Sequence, residues 1–275
     1  MPSGFNSWPI DRTEEMIRFH VTAANHQLQQ TYYAFAAALI TNRTLVMPRF
    51  QCYCSKNWYQ TQACRINHEQ ASTFPFVCAL SHVMRVKKLQ QGFSLPANTE
   101  YSGHRVFVRE YSFLDNPKVP GELKHSYLEV VPSALPRLPG LTPNQLVLSL
   151  DNMTAGGSHP QGRRLTVAAP LADWELRAVL APYADVRIIH FPQPGRTLSG
   201  FAKRETAVQY DEEIQKRVTY WCCRTPPEMK AWNLSEALQL VALPPDRHQH
   251  LPKIGPRASY MHQQPPMAQL VRPKS

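Results

Sequence analysis

The stretch that most constrains the fold is AAALITNRTLVMPRFQCYC, residues 36–54, where an apolar helix, a turn, a strand and two cysteines follow directly on one another. From Leu28 onward the apolar side chains recur every three or four residues, which predicts one buried helix face. TLVMP, residues 44–48, is apolar without alternation, as in a strand covered on both faces. MIRFH, residues 16–20, predicts a strand before the helix, with Asn25 as the helix N-cap. Strand, helix and strand together predict a βαβ unit.

A second unit of this kind is predicted near the C-terminal end. Its strand RLTVAA, its helix LADWELRAVLAPYAD and its strand VRIIHF together occupy residues 164–191. The remaining predicted elements are strands at 105–109, 144–150 and 216–224, a proline-punctuated surface segment at 117–143, and a helix at 226–243 that begins at two prolines.

These elements predict an α/β fold, with a Rossmann-like parallel sheet and flanking helices. Residues 1–12 are predicted to be a lead-in, and residues 13–243 to be one α/β domain with two βαβ halves, about 13–155 and 156–243. Residues 244–275 are predicted to be a disordered, basic, proline-rich tail. Because ligands of such sheets bind beyond the carboxyl ends of the strands, functional residues are expected in the loops there.

Charge and hydropathy limit the function classes. The net charge of the 275 residues is +10, but the residues from Asp246 onward hold five basic side chains and one acid, so the remainder carries +6 (10 − 4). That excess does not require a nucleic-acid partner. The apolar run TYYAFAAALI is far shorter than the roughly 20 residues of a membrane span. No signal peptide is recognised, so the chain is expected to be cytosolic or a piece of a longer secretory protein.

The cysteines and sequons favour the second of these settings. The cysteine spacings match no common zinc pattern, so no metal site is expected, and both buried free thiols and disulfides remain open. An even cysteine count and a polar spacer favour disulfides. The disulfide candidates are Cys52, Cys54, Cys64, Cys78, Cys222 and Cys223, and the glycosylation candidates are Asn42, Asn152 and Asn233. Asn42 also fits a turn residue.

Two groups of polar residues are candidate site residues. Asn25, His26 and Gln29 follow the first predicted strand, where a helix N-terminus favours an anion; the alternative is that they cap the helix. The second group is Arg109, Glu110 and Asp115, at the end of the strand 105–109. An arginine there could hold a phosphate and a carboxylate could act as a base, whereas an ion-paired strand end is the structural alternative.

Several catalytic signatures do not occur in the sequence. It contains no G-x-G-x-x-G, G-x-S-x-G, H-E-x-x-H or Walker A motif, and no D-x-D pair of the kind that bridges a metal to a sugar nucleotide. The acidic run Asp211 to Glu213 is consecutive, so its side chains diverge, and a solvated helix face is expected.

Four segments carry a resemblance to a known family. HQLQQTYYAFAAALITNRTLVMPRFQCYC, PFVCALSHV, FVREYSFLDNPKVP and TYWCCR resemble, in order and spacing, the C-terminal region of plant and algal nucleotide-diphospho-sugar transferases that arabinosylate hydroxyproline-rich proteins. Ala79 and Ser81 stand where that family tends to have proline and aspartate. NRTL before a proline-ended strand also resembles protein O-fucosyltransferases, although TAANHQ replaces their glycine-rich loop.

The resemblance implies a setting rather than catalytic residues. It implies the Golgi lumen, a type II membrane parent, a UDP-sugar donor, a hydroxyproline-rich acceptor of the cell wall, and Mn²⁺ or Mg²⁺ held by a D-x-D domain that this chain lacks. Three hypotheses follow: an arabinosyltransferase-like chain, a non-catalytic accessory or acceptor-binding domain of such an enzyme, and a metal-independent fucosyltransferase-like enzyme. No cofactor is expected in this chain itself.

Overall fold

The computed structural model describes residues 10–53, 75–153, 162–219 and 240–250. The helices are α1 (Ile10–Ile40), α2 (Val86–Gln90), α3 (Gly121–His125), α4 (Asp173–Leu180), α5 (Pro194–Thr197) and α6 (Arg204–Gln215). Short 3-10 helices lie at Leu80–His82, Tyr111–Asp115, Pro143–Leu146, Ala181–Tyr183 and Pro245–His250. The strands are β1 (Leu45–Val46), β2 (Gln51–Cys52), β3 (Phe76–Val77), β4 (Val108–Arg109), β5 (Tyr127–Pro132), β6 (Val147–Asn152), β7 (Arg163–Val167), β8 (Leu171–Ala172), β9 (Ile188–His190) and β10 (Leu198–Gly200).

The largest sheet has the strand order β6-β7-β5-β9. β5 is parallel to β7 and β9, and β6 runs antiparallel at one edge. Four of its side chains are completely buried and form part of the core: Leu128, Val130, Leu165 and Val167. The second predicted βαβ unit is therefore confirmed as β7, α4 and β9, with β5 between its two strands. β5 lies within residues 117–143, so the prediction that this segment only wraps the surface is wrong.

The other described strands form three separate pairs. β1 pairs with β4 in parallel, β8 with β10 in parallel, and β2 with β3 antiparallel. The predicted strands at 44–48 and 105–109 are thus confirmed in place as β1 and β4, although each is only two residues long. The described strands give a mixed α/β fold with some parallel pairing, rather than one continuous Rossmann-like sheet.

Helix α1 replaces the first predicted βαβ unit. Residues 16–20 are helical, so the strand predicted there, and Asn25 as an N-cap, are wrong. The physical reason is continuity: no proline or glycine occurs from residue 10 to residue 47, so nothing interrupts the helix that begins after Pro9. Its buried side chains continue the helical spacing upstream of the predicted start: Val21, Ala24, Leu28, Tyr32 and Phe35.

The C-terminal end of α1 is closed by a Schellman motif. The backbone N–H of Arg43 donates to the carbonyl of Ala38, and that of Asn42 donates to the carbonyl of Leu39. Asn42 itself has φ of +51°, the left-handed conformation that this cap requires. The interpretation of Asn42 as a turn residue is therefore confirmed.

The chain remains ordered beyond the predicted start of the tail. Leu240 to Pro244 are buried, and Pro245–His250 forms a 3-10 helix. The side chain of Arg247 reaches Asp211, which has no exposed surface. The prediction of disorder is therefore wrong for residues 244–250, and the prediction of a solvated Asp211 is wrong as well. The rest of the predicted tail, residues 251–275, lies outside the described residues, as do residues 226–239 of the predicted last helix.

Within the described ranges, no helix combines the length and apolarity that crossing a membrane would require.

Candidate functional site

A cleft of about 220 Å³ opens beyond the carboxyl ends of the parallel strands β1 and β4. After β1 the chain turns through residues 47–50 into β2, and after β4 it enters the 3-10 helix Tyr111–Asp115. Since both strands end on the same side of their pair, these two continuations border the cleft together. The lining residues are Met47, Pro48, Phe50, Val77, Cys78, Ala79, Leu80, Glu110 and Tyr111.

A disulfide bond between Cys52 and Cys78 secures one side of the cleft. Both cysteines are buried, and their Cα atoms are 5.7 Å apart. The backbone N–H of Cys78 also donates to the carbonyl of Phe50 at 3.0 Å. The prediction of a disulfide is therefore confirmed for this pair, while Cys54, Cys64, Cys222 and Cys223 lie outside the described residues.

Two adjacent residues supply most of the polar character of the lining. Glu110 is exposed and precedes the 3-10 helix, and Tyr111 is the first residue of that helix, with 38% of its surface exposed. The guanidinium of Arg49 lies over the Tyr111 ring, 4.8 Å from its centroid. The cleft thus combines apolar walls, one carboxylate and one aromatic ring, a combination that suits a small polyhydroxylated ligand.

The structure separates the two carboxylates that the sequence placed in one site. Glu110 lines the cleft, whereas Asp115 lies one 3-10 helix further on and faces Arg49 at 3.8 Å, with both side chains mostly exposed. The guanidinium of Arg109 lies over the ring of Phe113, 5.8 Å from its centroid, and Arg109 is not among the residues that line the cleft. The arrangement gives binding groups, but not two carboxylates positioned together for acid–base or metal chemistry. No group of three metal-binding side chains occurs among the described residues.

Asn25, His26 and Gln29 lie on α1, fifteen residues or more from its start, so the helix N-terminus predicted to bind an anion is not there. The carboxamide oxygen of Asn25 accepts a hydrogen bond from the backbone N–H of Val241 at 2.8 Å. His26 is exposed and Gln29 is half-buried. The alternative that Asn25 caps the helix is also wrong, because Asn25 lies inside α1 and its side chain anchors the C-terminal segment.

Two other residues of α1 hold the edge of the cleft and were missed by sequence reasoning. The side chain of Gln27 donates to the carbonyl of Gln51 at 2.9 Å and accepts from its N–H at 2.8 Å, as a neighbouring strand would. His20 accepts from the N–H of Tyr53 at 3.0 Å. Burial, and secondarily the charge of His82, lower the pKa of His20 to about 3. His20 is therefore a neutral hydrogen-bond acceptor. Its role could have been predicted only if residues 16–20 had been recognised as part of a helix.

The glycosylation candidates differ in their settings. Asn42 is exposed in the turn after α1, and its carboxamide oxygen accepts from the N–H of Arg105 at 3.2 Å. Asn152 is exposed at the end of β6. Asn233 lies outside the described residues.

Comparison with known proteins gives one relative. Arabinosyltransferase XEG113 of Arabidopsis thaliana is 29% identical to the chain over 208 residues, which is 75% of this chain and 29% of that protein. The chain therefore spans less than a third of the length of the curated relative that it matches. No family model and no solved structure matches. Across three quarters of its length, the chain is similar to a plant arabinosyltransferase.

Proposed function

We propose that this chain is part of an arabinosyltransferase-like glycosyltransferase and that the cleft beside Glu110 and Tyr111 binds a sugar of its glycoprotein acceptor. The observation that carries the proposal is the similarity to the plant arabinosyltransferase, which supports a glycosyltransferase-like function. The part of the chain described here supplies a binding surface, in the role of an accessory or acceptor-binding domain.

The chemistry of the cleft supports a sugar as the ligand. A volume of about 220 Å³ admits one or two sugar rings rather than a whole nucleotide sugar. The carboxylate of Glu110 can accept hydrogen bonds from two hydroxyl groups, and the Tyr111 ring offers a flat face to the C–H groups of a sugar. Arg49 lies over the Tyr111 ring, and this contact favours one orientation of the ring before the ligand arrives.

The position of α1 favours the accessory role over a complete fucosyltransferase-like enzyme. TAANHQ, which replaces the donor-binding loop of that family in the sequence, lies inside a continuous helix. A backbone already bonded within a helix has no free N–H groups to give to a diphosphate. Donor binding is accordingly assigned to another part of the parent enzyme, with a UDP-sugar donor and with Mn²⁺ or Mg²⁺ held there.

The proposed setting is the lumen of the Golgi, with a type II membrane protein as parent and hydroxyproline-rich cell-wall proteins as acceptors. The Cys52–Cys78 bond supports a secretory compartment, because disulfides persist where the environment is oxidising. The exposed sequon at Asn42 is compatible with the same compartment.

Calorimetric titration of the oxidised chain tests the proposal. An arabinosylated hydroxyproline peptide should bind, and Glu110→Gln and Tyr111→Ala should each weaken binding by about tenfold. Glu122→Gln, which removes an exposed charge on α3, is the matched control and should change nothing.

UDP-arabinose, UDP-galactose and GDP-fucose, each with and without Mn²⁺, form the second arm of the experiment. None of them should bind in a manner sensitive to Glu110. Binding of one of these donors that Glu110→Gln abolishes would move the donor site into this chain and overturn the accessory role.

A further inference from the structure

An exposed strip of alternating arginine and aromatic side chains runs through β4 and the residues just before it, which lead to the cleft. Arg105, Phe107 and Arg109 are exposed at every second position, while Val106 is buried between the first two. Phe107 keeps 46% of its surface exposed. We refer to Arg105, Phe107 and Arg109 as the strip.

Each arginine of the strip lies on a ring instead of facing an acid. The guanidinium of Arg105 is 5.2 Å from the centroid of Phe107, and that of Arg109 is 5.8 Å from the centroid of Phe113. Neither has a carboxylate partner within the described ranges. Their charges are therefore exposed, held in place and available to an anion.

The positive charge continues beyond the strip. Arg105 donates to the carbonyl of Gln91, directly after α2, and α2 carries the exposed side chains of Lys87 and Lys88. Residues 75–99 contain no acidic residue at all. Glu110, which lines the cleft, and Asp115, which is paired with Arg49, follow Arg109 at the other end of the strip.

The spacing of the cations selects an extended ligand. In an extended strand the Cα atoms of Arg105 and Arg109 are about 13 Å apart, so one small anion cannot reach both guanidinium groups. A chain with recurring negative groups and flat apolar faces between them satisfies the two arginines and the Phe107 ring at once. Sugars that carry carboxylates have both features, and a carboxylate matches the planar fork of an arginine.

We propose that the strip binds an acidic polysaccharide, a chain of uronic acid residues, beside the cleft. Single-stranded nucleic acid combines stacking faces with anions as well. The disulfide Cys52–Cys78 in the adjoining wall favours an oxidising compartment and therefore the glycan. This binding is independent of the function proposed for the cleft, because it involves none of the residues that line it.

Titration of the oxidised chain with a galacturonic acid oligomer of about ten residues, at low salt, tests the proposal. The oligomer should bind, the affinity should fall as salt rises, and a neutral glucose oligomer of equal length should not bind. Arg105→Gln with Arg109→Gln should weaken binding by tenfold or more, and Phe107→Ala should do so with the net charge unchanged.

The matched control is Arg196→Gln with Arg204→Gln, which removes two exposed arginines elsewhere in the chain. It should retain the affinity of the unmodified chain. Equal losses in the two double variants would reduce the effect to net charge and overturn the proposal. Tighter binding of a single-stranded oligonucleotide, or no binding of the acidic oligomer at low salt, would overturn it too. Circular dichroism of each variant shows that the fold is retained.

Discussion

The guanidinium of Arg247 donates two hydrogen bonds to the buried carboxylate of Asp211, from Nη2 at 2.8 Å and from Nε at 3.1 Å. The other carboxylate oxygen of Asp211 accepts from the hydroxyl of Tyr32 at 2.8 Å. These bonds join α6, α1 and the C-terminal segment at one point. Arg247, which the sequence composition places in a disordered tail, thus neutralises the buried charge of Asp211.

Arg247→Met should lower the free energy of unfolding by about 3 kcal/mol, because it leaves the Asp211 carboxylate buried without its cation. Urea denaturation followed by circular dichroism measures the change. Lys216→Met, which removes an exposed ion pair with Glu213, is the control and should cost less than about 1 kcal/mol. An equal loss of unfolding free energy in the two variants would show that the buried Arg247–Asp211 pair contributes no more to stability than the exposed Lys216–Glu213 pair.

Replacing both Cys52 and Cys78 by serine should lower the free energy of unfolding by about 3 kcal/mol, since the bond closes a loop between residues 26 positions apart. Denaturation of the two proteins without reductant measures the difference. Peptide mapping of the unreduced chain should recover the two cysteines in one linked pair. Finding either cysteine linked to a different partner would contradict the structure.

The buried His20 should make stability depend on pH. Its folded pKa is about 3 and its ordinary pKa is 6.5, so between these values unfolding takes up a proton. The neutral His20 makes its full contribution to the free energy of unfolding above pH 6.5. That contribution falls by about 1.4 kcal/mol per pH unit as the pH drops toward 3. His20→Asn should remove this slope whatever its effect on absolute stability. Parallel pH profiles for the two proteins would contradict the assignment.

Glycine at position 42 should destabilise the protein less than alanine, because φ of +51° crowds a Cβ atom and glycine has none. Asn42→Ala should cost about 1 kcal/mol, while Asn42→Gly should be close to neutral. Thermal unfolding of both variants measures the order. A glycine variant less stable than the alanine variant would show that the hydrogen bond to Arg105 outweighs the backbone conformation.

Sequence periodicity predicted the elements whose patterns are local. The apolar runs around Leu165 and Ile189, with the helix between them, gave β7, α4 and β9 in the right order. The same reasoning failed at residues 16–20, because five residues are too few for the apolar pattern to distinguish a helix from a strand. It also failed at β5, where the flanking prolines Pro120 and Pro136 suggested a loop although long-range pairing buries the segment.

The candidate site was predictable only at Glu110, since a carboxylate at the end of a strand is a local signal. Nothing local distinguishes Tyr111 as a site residue, because an aromatic residue beside a strand is also common in the core. Met47 and Val77 join the cleft from two other segments, and nothing in a sequence shows that such segments meet. Arg247 could not be predicted as a core contact either, because the proline-rich composition around it indicates disorder and gives no sign of its long-range ion pair with Asp211.

Helix α1 contacts β1 and β2 beside the cleft, and also α4, α5 and β10 on the side of the larger sheet. We therefore expect that a cut between residues 155 and 156 would not yield two fragments that fold, because the second would lose the helix against which α4 and α5 pack. We expect one cooperative unfolding transition in which the sugar-sized cleft and the sheet are lost together. A ligand that enters the cleft would then raise the melting temperature of the whole described body, including strands that it never touches.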